Sequence, residues 1–194
     1  ADSLSEGLVA ALARGGHRTL TMAPEAGTER LRRIIRKSIS DEQLMTACDL
    51  VRAHGIPNLK TYFMIGQPTE TIEVVEAIPD LGGRMLERLR VLDPTGRPFG
   101  RLTLSVSSFV PKPWTPFQWA PLAPRAVLEA RRRSLARALR PKGIDVESLS
   151  ARAVELQAIT SSGDRRGAAL LAPAHAEPRG ARRAPPRPRP HDQE

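Results

Sequence analysis

Three short apolar segments, about 40 residues apart and separated by helical patterns, limit this chain to a small set of folds. The first, residues 18–22, contains β-branched threonines; the second, residues 59–65 (LKTYFMI), is an apolar and aromatic run; the third is residues 102–107 (LTLSVS). A run such as LKTYFMI is typical of a strand that is buried on both faces of a parallel sheet. Strands that alternate with helices in this way indicate right-handed βαβ units. The sequence therefore predicts an α/β fold built on a parallel sheet.

Helical patterns fill the connections between these strands and continue after the third one. Ser40 followed by Gln43 has the spacing of a capping box and marks the start of one helix. Thr69 can cap a long helix, in which Pro79 and the glycines at 82 and 83 are expected to produce a kink or a break. Residues 144–146 predict a short edge strand. The predicted helices cover residues 3–14, 29–36, 40–54, 69–92, 127–139 and 149–171.

The charge balance and the cysteine count exclude several classes of protein. The chain has 30 lysine and arginine residues against 21 acidic ones, a net charge of +9, which favours an anionic partner such as nucleic acid. Aromatic side chains for base stacking are few, and Tyr62 is the only tyrosine, so charge alone is a weak indication of RNA binding. The single cysteine, Cys48, excludes an internal disulfide and a cysteine-rich metal site, and the four histidines are scattered. No metal ligands are predicted in this chain.

The ends of the chain and its apolar runs indicate its location and its division into structural units. No run approaches the roughly 20 apolar residues needed to cross a bilayer, and no leader segment opens the chain, so no membrane association and a cytoplasmic location are expected. The chain begins without methionine inside a helical pattern, which indicates a fragment. Its proline- and arginine-rich end has almost nothing to bury and is expected to be disordered. The predicted units are a sheet domain, a helical extension and a disordered tail, at residues 1–140, 141–174 and 175–194.

Parallel α/β sheets place their functional loops after the carboxyl ends of the strands, which here are residues 23–28, 66–70 and 108–119. In the first loop, the carboxylate of Glu25 could accept hydrogen bonds from ribose hydroxyls or from an ammonium group of a ligand, while Thr28 donates to a carboxylate. Alternatively, Thr28 followed by Glu29 is a helix cap and nothing more. The residues alone leave both interpretations open.

The other two loops also allow two interpretations each. Gly66 removes side-chain bulk where the second strand ends, so that a planar base could lie against the backbone; a plain turn with Pro68 near the helix start explains the same residues. The loop is not a phosphate-binding loop, because no Gly-Lys-Ser/Thr follows. The third loop is rich in proline and contains Trp114 and Trp119, which are expected either to pack as a lid or to line a pocket, with packing favoured.

Three segments together resemble radical S-adenosylmethionine (SAM) proteins: TMAPEAGTERLRRIIRKSIS, LKTYFMIGQPTET and VSSFVPKPWTPFQWAP. The resemblance is strongest to bacterial members of the cobalamin-binding-domain group and extends over residues 1–174. It implies a partial (β/α) barrel, of which this chain holds the last three βα units. It also implies an enzyme in which SAM and a [4Fe-4S] cluster generate a 5′-deoxyadenosyl radical that abstracts hydrogen from an unknown substrate. RNA modification occurs in this superfamily, and cobalamin could be held by a domain outside this chain.

The resemblance also implies roles for particular residues. Glu25, Gly27 and Thr28 match the segment that faces the ribose and methionine portion of SAM. Lys37 matches a basic residue that can pair with the methionine carboxylate.

Two further pairs of residues match the SAM site of the family. Ile65 and Gly66 match the segment that backs the adenine, and Phe109 and Val110 match apolar contacts from the last strand.

Several departures from the family pattern accompany this resemblance. The three cluster cysteines, spaced CxxxCxxC, are absent from this chain, and Gln67 stands where the pattern usually has leucine. The cluster ligands are therefore expected outside this chain. The alternative function is a basic, non-catalytic scaffold that binds RNA or an acidic partner.

Overall fold

The computed structural model describes residues 4–91 and 93–163, and its centre is a four-stranded parallel sheet. The strands follow the sheet in chain order, and every neighbouring pair is parallel. The α/β fold is therefore confirmed, and the three expected strands are all present. The expected short edge strand is also present, as a fourth strand paired with the third. The strands are β1 Thr19–Glu25, β2 Asn58–Ile65, β3 Arg101–Ser108 and β4 Asp145–Ser148.

Six α-helices are described around this sheet. Helix α3 begins with the expected capping box, in which Ser40 and Gln43 each accept a hydrogen bond from the other's backbone amide. Helix α6 lies within the predicted helical extension, of which the residues up to 163 are described. The predictions for residues 164–194, including the disordered tail, lie outside the described residues. The helices are α1 Glu6–Arg14, α2 Glu29–Ile34, α3 Asp41–Ala53, α4 Ile72–Leu89, α5 Arg125–Leu139 and α6 Ala151–Ser162.

Helix α4 corrects the expectation of a divided helix. It runs unbroken through Pro79 and both glycines, and its N-cap is Thr71. Thr69 cannot cap it, because its φ of 65° lies in the left-handed region and an N-cap residue is extended. A proline inside a helix costs about 3 kcal/mol, but each fully buried aliphatic side chain contributes about 1.5–3 kcal/mol. The apolar face of α4 therefore outweighs the proline. Its buried members are Val74, Val75, Ile78, Leu81, Met85, Leu86 and Leu89.

The core lies on one face of the sheet only. Alternate residues of the strands are buried there and form one cluster with side chains of α3, α4 and α5. The residues between them, on the other face of the sheet, are mostly polar and partly exposed, among them Thr21, Lys60 and Tyr62. In the described part of the chain, no helix has both the length and the apolar character that a membrane span requires.

Candidate functional site

Backbone strain is concentrated where the strands end. One non-glycine residue in the left-handed region lies at the end of β1, and one lies in each of the loops after β2 and β3. These residues are Glu25, Thr69 and Trp114, with φ of 70°, 65° and 64°. The left-handed conformation costs roughly 1–2 kcal/mol for such residues, and it is uncommon for a β-branched or bulky side chain. The fourth such residue in the described part of the chain, Arg36, immediately precedes Lys37. Strain of this kind clusters at functional sites, so it marks the carboxyl edge of the sheet as the candidate site.

Two of the candidate residues, Glu25 and Lys37, meet at this edge. Lys37 Nζ lies 3.7 Å from Glu25 Oε1, and the side chains are 42% and 21% exposed. Burial raises the pKa of the Glu25 carboxyl above its ordinary value, and the Lys37 ammonium opposes only part of that shift. The two opposite charges are thus adjacent and accessible. A ligand that carries both an ammonium and a carboxylate could satisfy each of them with a charge-assisted hydrogen bond.

Gln67 joins the end of β1 to the end of β2. Its side-chain amide donates to the backbone oxygens of Glu25, at 3.2 Å, and of Met64, at 3.0 Å. Two carbonyl acceptors identify this atom as the amide nitrogen, so the side-chain oxygen points the other way. That oxygen is buried without a hydrogen-bond partner among the described residues. The sequence showed Gln67 only as a departure from leucine; its polarity at a buried position was the signal that it has a bonding role.

Gly27 and Thr28 have clear structural roles. A Cβ atom on Gly27 would lie 2.7–2.9 Å from backbone atoms of α4, so the loop can approach this helix only through a glycine. The hydroxyl of Thr28 accepts a hydrogen bond from the amide of Leu31 at 3.4 Å and caps α2. The helix-cap interpretation of Thr28 is therefore confirmed.

Ile65 and Gly66 pack on the side of the sheet that the helices cover. Ile65 is buried in the core. Gly66 has a φ of 79°, and a Cβ atom there would lie 2.8 Å from a side-chain carbon of Leu128 on α5. The amide of Gly66 donates to the carboxylate of Glu70 at 2.8 Å. Packing and φ together therefore favour glycine at this position.

The carboxylate of Glu70 is buried and also pairs with Arg131 of α5. Burial raises the pKa of Glu70, although the Gly66 amide and the Arg131 guanidinium both lower it. This ion pair holds the loop after β2 against α5. No local pattern in the sequence links these two residues, because they are 61 positions apart.

A second buried cation, Arg32, shapes the segment that carries Lys37. Its guanidinium donates to the backbone oxygens of Ile39, at 2.8 Å, and Ala26, at 3.0 Å, and it pairs with Asp41. Burial favours the protonated form of Asp41, but hydrogen bonds from Arg84 and Arg32 hold its pKa below the ordinary value. The sequence showed Arg32 only as one member of a basic helix.

The third loop differs from the expectation. Phe109 is buried and contacts Phe117 edge to face, with ring centroids 6.0 Å apart, and Val110 is partly buried against the core. Trp114 and Trp119, however, are 96% and 89% exposed. The expectation that they pack or line a pocket is therefore wrong for the described chain. The phenylalanines anchor the loop, and the tryptophans project from it.

Cys48 does not fit the role of a cluster ligand. It is buried in α3, and burial raises the pKa of its thiol to about 12, whereas metal ligation requires the thiolate. Within residues 4–91 and 93–163, no group of three or more histidine, cysteine, aspartate or glutamate side chains is placed to hold a metal ion.

One protein superfamily matches the part of the chain that contains much of this site. Residues 2–82 match the family model of the radical SAM superfamily. The match contains Glu25, Lys37 and Gly66, and it ends before the loop after β3. An uncharacterized protein of Methanocaldococcus jannaschii is 33% identical over 166 residues, which are 84% of this chain and 34% of that protein. The chain thus spans about a third of the length of this relative. The four-stranded parallel sheet with its helices is consistent with a partial β/α barrel of the type found in the radical SAM superfamily.

Proposed function

We propose that this chain supplies part of the SAM site of a radical SAM enzyme. The observation that carries the proposal is the pairing of Glu25 with Lys37 at the carboxyl edge of the sheet, within the residues that match the superfamily. The methionine portion of SAM has an ammonium and a carboxylate on the same carbon. Glu25 is the acceptor for the ammonium and Lys37 is the donor for the carboxylate, so the ligand replaces one ion pair with two.

The surrounding residues support this role by fixing the pair in place. Gln67 holds the carbonyl of Glu25, and Arg32 holds the two ends of the segment that leads to Lys37. Preorganised charges lose little freedom when a ligand binds, which is why such support strengthens binding. When bound, SAM supplies the hydrogen-abstracting radical chemistry of this superfamily, and this chain's residues bind and orient it.

The [4Fe-4S] cluster of such an enzyme is proposed to be held outside this chain. Cluster ligation needs three thiolates, and Cys48 is the single cysteine of the chain. No residue described here fits a role toward cobalamin, and none is proposed.

The test is the affinity for SAM of the natural full-length polypeptide that contains this chain, measured by calorimetry. Removal of a charge-assisted hydrogen bond costs roughly 1.5–3 kcal/mol, so Glu25→Gln and Lys37→Met should each weaken binding roughly ten- to a hundredfold. Arg36→Gln is the matched control, because Arg36 is exposed and adjacent to Lys37. It should leave the affinity unchanged.

A pH series sharpens this test. Protonation of Glu25 removes the charge that binds the ammonium, so the affinity should fall as the pH decreases through the raised pKa of this carboxyl. Glu25→Gln should remove that part of the pH dependence. If both variants bind SAM as the parent does at every pH, these residues are a surface ion pair and the site assignment is wrong.

A further inference from the structure

We propose that the buried ion pair of Glu70 and Arg131 positions the carboxylate of Glu25 for its ligand, and that Gln67 transmits this effect. The inference rests on the proposed SAM site, in which Glu25 accepts the ammonium group. It goes beyond that site because Arg131 lies on α5, outside the residues that match the superfamily. Glu70, Arg131 and Gln67 are positioning residues, since they act on the ligand only through Glu25.

The backbone of Glu25 is held in a conformation that it would not adopt alone. Its φ of 70° lies in the left-handed region, where a residue with a side chain stays only if its surroundings fix it there. On its amino side, Glu25 is the last residue of β1 and pairs with Phe63 of β2. On its carboxyl side, its carbonyl oxygen accepts the hydrogen bond from Gln67 at 3.2 Å. Together these contacts fix the direction of the Glu25 side chain.

Gln67 is itself fixed within the loop after β2. It is buried, and its side-chain amide also donates to the carbonyl of Met64 at 3.0 Å. Its backbone oxygen accepts a hydrogen bond from the amide of Glu70 at 3.1 Å. The Gln67 side-chain oxygen, however, has no partner among the described residues, and a buried polar atom without a partner costs stability. A glutamine kept at that cost indicates that the bond from its amide to Glu25 is needed.

The ion pair holds the loop that carries Gln67 against α5. The buried carboxylate of Glu70 accepts from the amide of Gly66 at 2.8 Å and pairs with Arg131. A Cβ atom on Gly66 would lie 2.8 Å from a side-chain carbon of Leu128, so α5 packs against the same loop one turn earlier. Removal of one partner of a buried ion pair is strongly unfavourable, so Glu70 and Arg131 stay together. A continuous series of contacts therefore runs from α5 to the end of β1.

Loss of the ion pair is expected to release Glu25 from this conformation. The loop after β2 would move away from α5, the Gln67 amide would leave the carbonyl of Glu25, and Glu25 would return to a negative φ. Its carboxylate would then turn away from Lys37. Only the fraction of molecules that regain the left-handed conformation would bind the ligand fully. The affinity should therefore weaken by about five- to thirtyfold, which corresponds to the roughly 1–2 kcal/mol cost of that conformation.

The test uses the variant Glu70→Gln/Arg131→Met, called here the pair deletion, in the natural full-length polypeptide. Both charges are removed together, so no buried charge is left unpaired and the variant should fold. The new amide oxygen can still accept from the amide of Gly66, so only the contact with α5 is lost. Calorimetry should show that SAM binds about five- to thirtyfold more weakly than to the parent. An affinity equal to that of the parent would overturn the inference.

The matched control is Glu129→Gln/Arg132→Met, which removes the neighbouring ion pair of the same helix. Arg132 follows Arg131 directly and pairs with Glu129 at 2.7 Å, and Glu129 accepts from the amide of Ala151. These contacts lie within α5 and at the start of α6, so SAM affinity should be unchanged. Arg131→Lys is the conservative variant. It keeps a cation beside Glu70 and should retain an affinity within about threefold of the parent.

A double-mutant cycle separates positioning from stabilisation of the fold. In Glu25→Ala no carboxylate remains to be positioned, so adding the pair deletion to this variant should change SAM affinity by less than about twofold. An ion pair that only stabilised the fold would change urea unfolding and leave the affinity of the folded protein as it is. Equal fold-changes from the pair deletion, with and without Glu25, would overturn the inference.

Hydrogen exchange followed by mass spectrometry gives a readout that does not depend on SAM. Without ligand, the pair deletion should speed amide exchange in residues 66–70 and also in residues 23–28, because the contacts connect the two loops. Residues 101–106 of β3 should exchange as in the parent. Faster exchange confined to residues 66–70 would show that the ion pair acts only on its own loop, which contradicts the inference.

The outcomes also separate this inference from the SAM site on which it rests. If Glu25→Ala weakens SAM binding and the pair deletion does not, the SAM site stands and the positioning role is wrong. If Glu25→Ala binds SAM as the parent does, the proposed function fails, and the positioning role fails with it.

Discussion

Replacement of Gly27 by alanine should destabilise the fold by about 2 kcal/mol, within the 1–3 kcal/mol typical of an overpacked position. The added methyl carbon would lie 2.7 Å from the backbone nitrogen of Ile78 and 2.8 Å from the carbonyl oxygen of Val74. Favourable contacts to carbon lie at about 3.5–4.0 Å, so the loop and the helix must separate by more than half an ångström, roughly. Both contacts are backbone atoms of a helix whose apolar face is buried. No side-chain rotation can relieve them, and the loop must move.

The matched control is Gly7→Ala. Gly7 is exposed in α1, and a Cβ atom there would meet nothing within 4 Å. Alanine favours a helix over glycine by about 1 kcal/mol, so this variant should be slightly more stable than the parent. Urea unfolding with a common m-value measures both changes. If Gly27→Ala is as stable as the parent while Gly7→Ala behaves as expected, the loop is not held against α4 as described.

Three further predictions follow from buried groups. Asp41 has a lowered pKa, so it contributes stability above about pH 3.8 that is lost as the pH falls through its folded-state value. Asp41→Asn should remove that loss in acid-unfolding curves, at a cost near neutral pH of about 3 kcal/mol, because Arg32 loses its carboxylate. Cys48 should resist iodoacetamide at neutral pH until the protein is unfolded, since burial raises its pKa to about 12; rapid labelling of the native protein would contradict this. The Thr61 hydroxyl is buried without a partner among the described residues, so Thr61→Val should add about 1–2 kcal/mol in urea unfolding, whereas Thr21→Val, at an exposed position on the other face of the sheet, should change little.

The elements of the fold were predictable because their signals are local. The apolar run that forms β2 is a continuous segment, the capping box joins two residues three positions apart, and the structure contains both. The expectation of a break in α4 was wrong, because a contact between distant segments outweighed the local signal. Helix propensity at Pro79 is also a local signal, but the outcome was decided by burial of the helix face against the sheet.

The candidate site was predictable only in part. Glu25 and Lys37 were both singled out as candidate residues, and their contact follows from chain proximity, since only α2 separates them. The residues that hold this site act over longer separations. Gln67 reaches a carbonyl 42 positions away, and Gly27 is required by a helix that begins 45 residues later. Such roles depend on how closely two segments approach, which no local pattern records.

The two faces of the sheet differ in polarity, and this difference limits what further strands beside it could enclose. The face away from the helices presents hydroxyl and charged groups, and Lys60 Nζ lies 2.6 Å from Glu147 Oε2 and 5.6 Å from the centroid of the Tyr62 ring. The centres of fully packed β/α barrels are filled mainly by branched apolar side chains. These strands offer few such side chains on that face, since their apolar residues point toward the helices. Further strands added beside β1, as in a complete β/α barrel, would therefore enclose a largely polar lumen, and a ligand that enters it from the carboxyl edge would meet hydroxyl and charged groups of β2, β3 and β4.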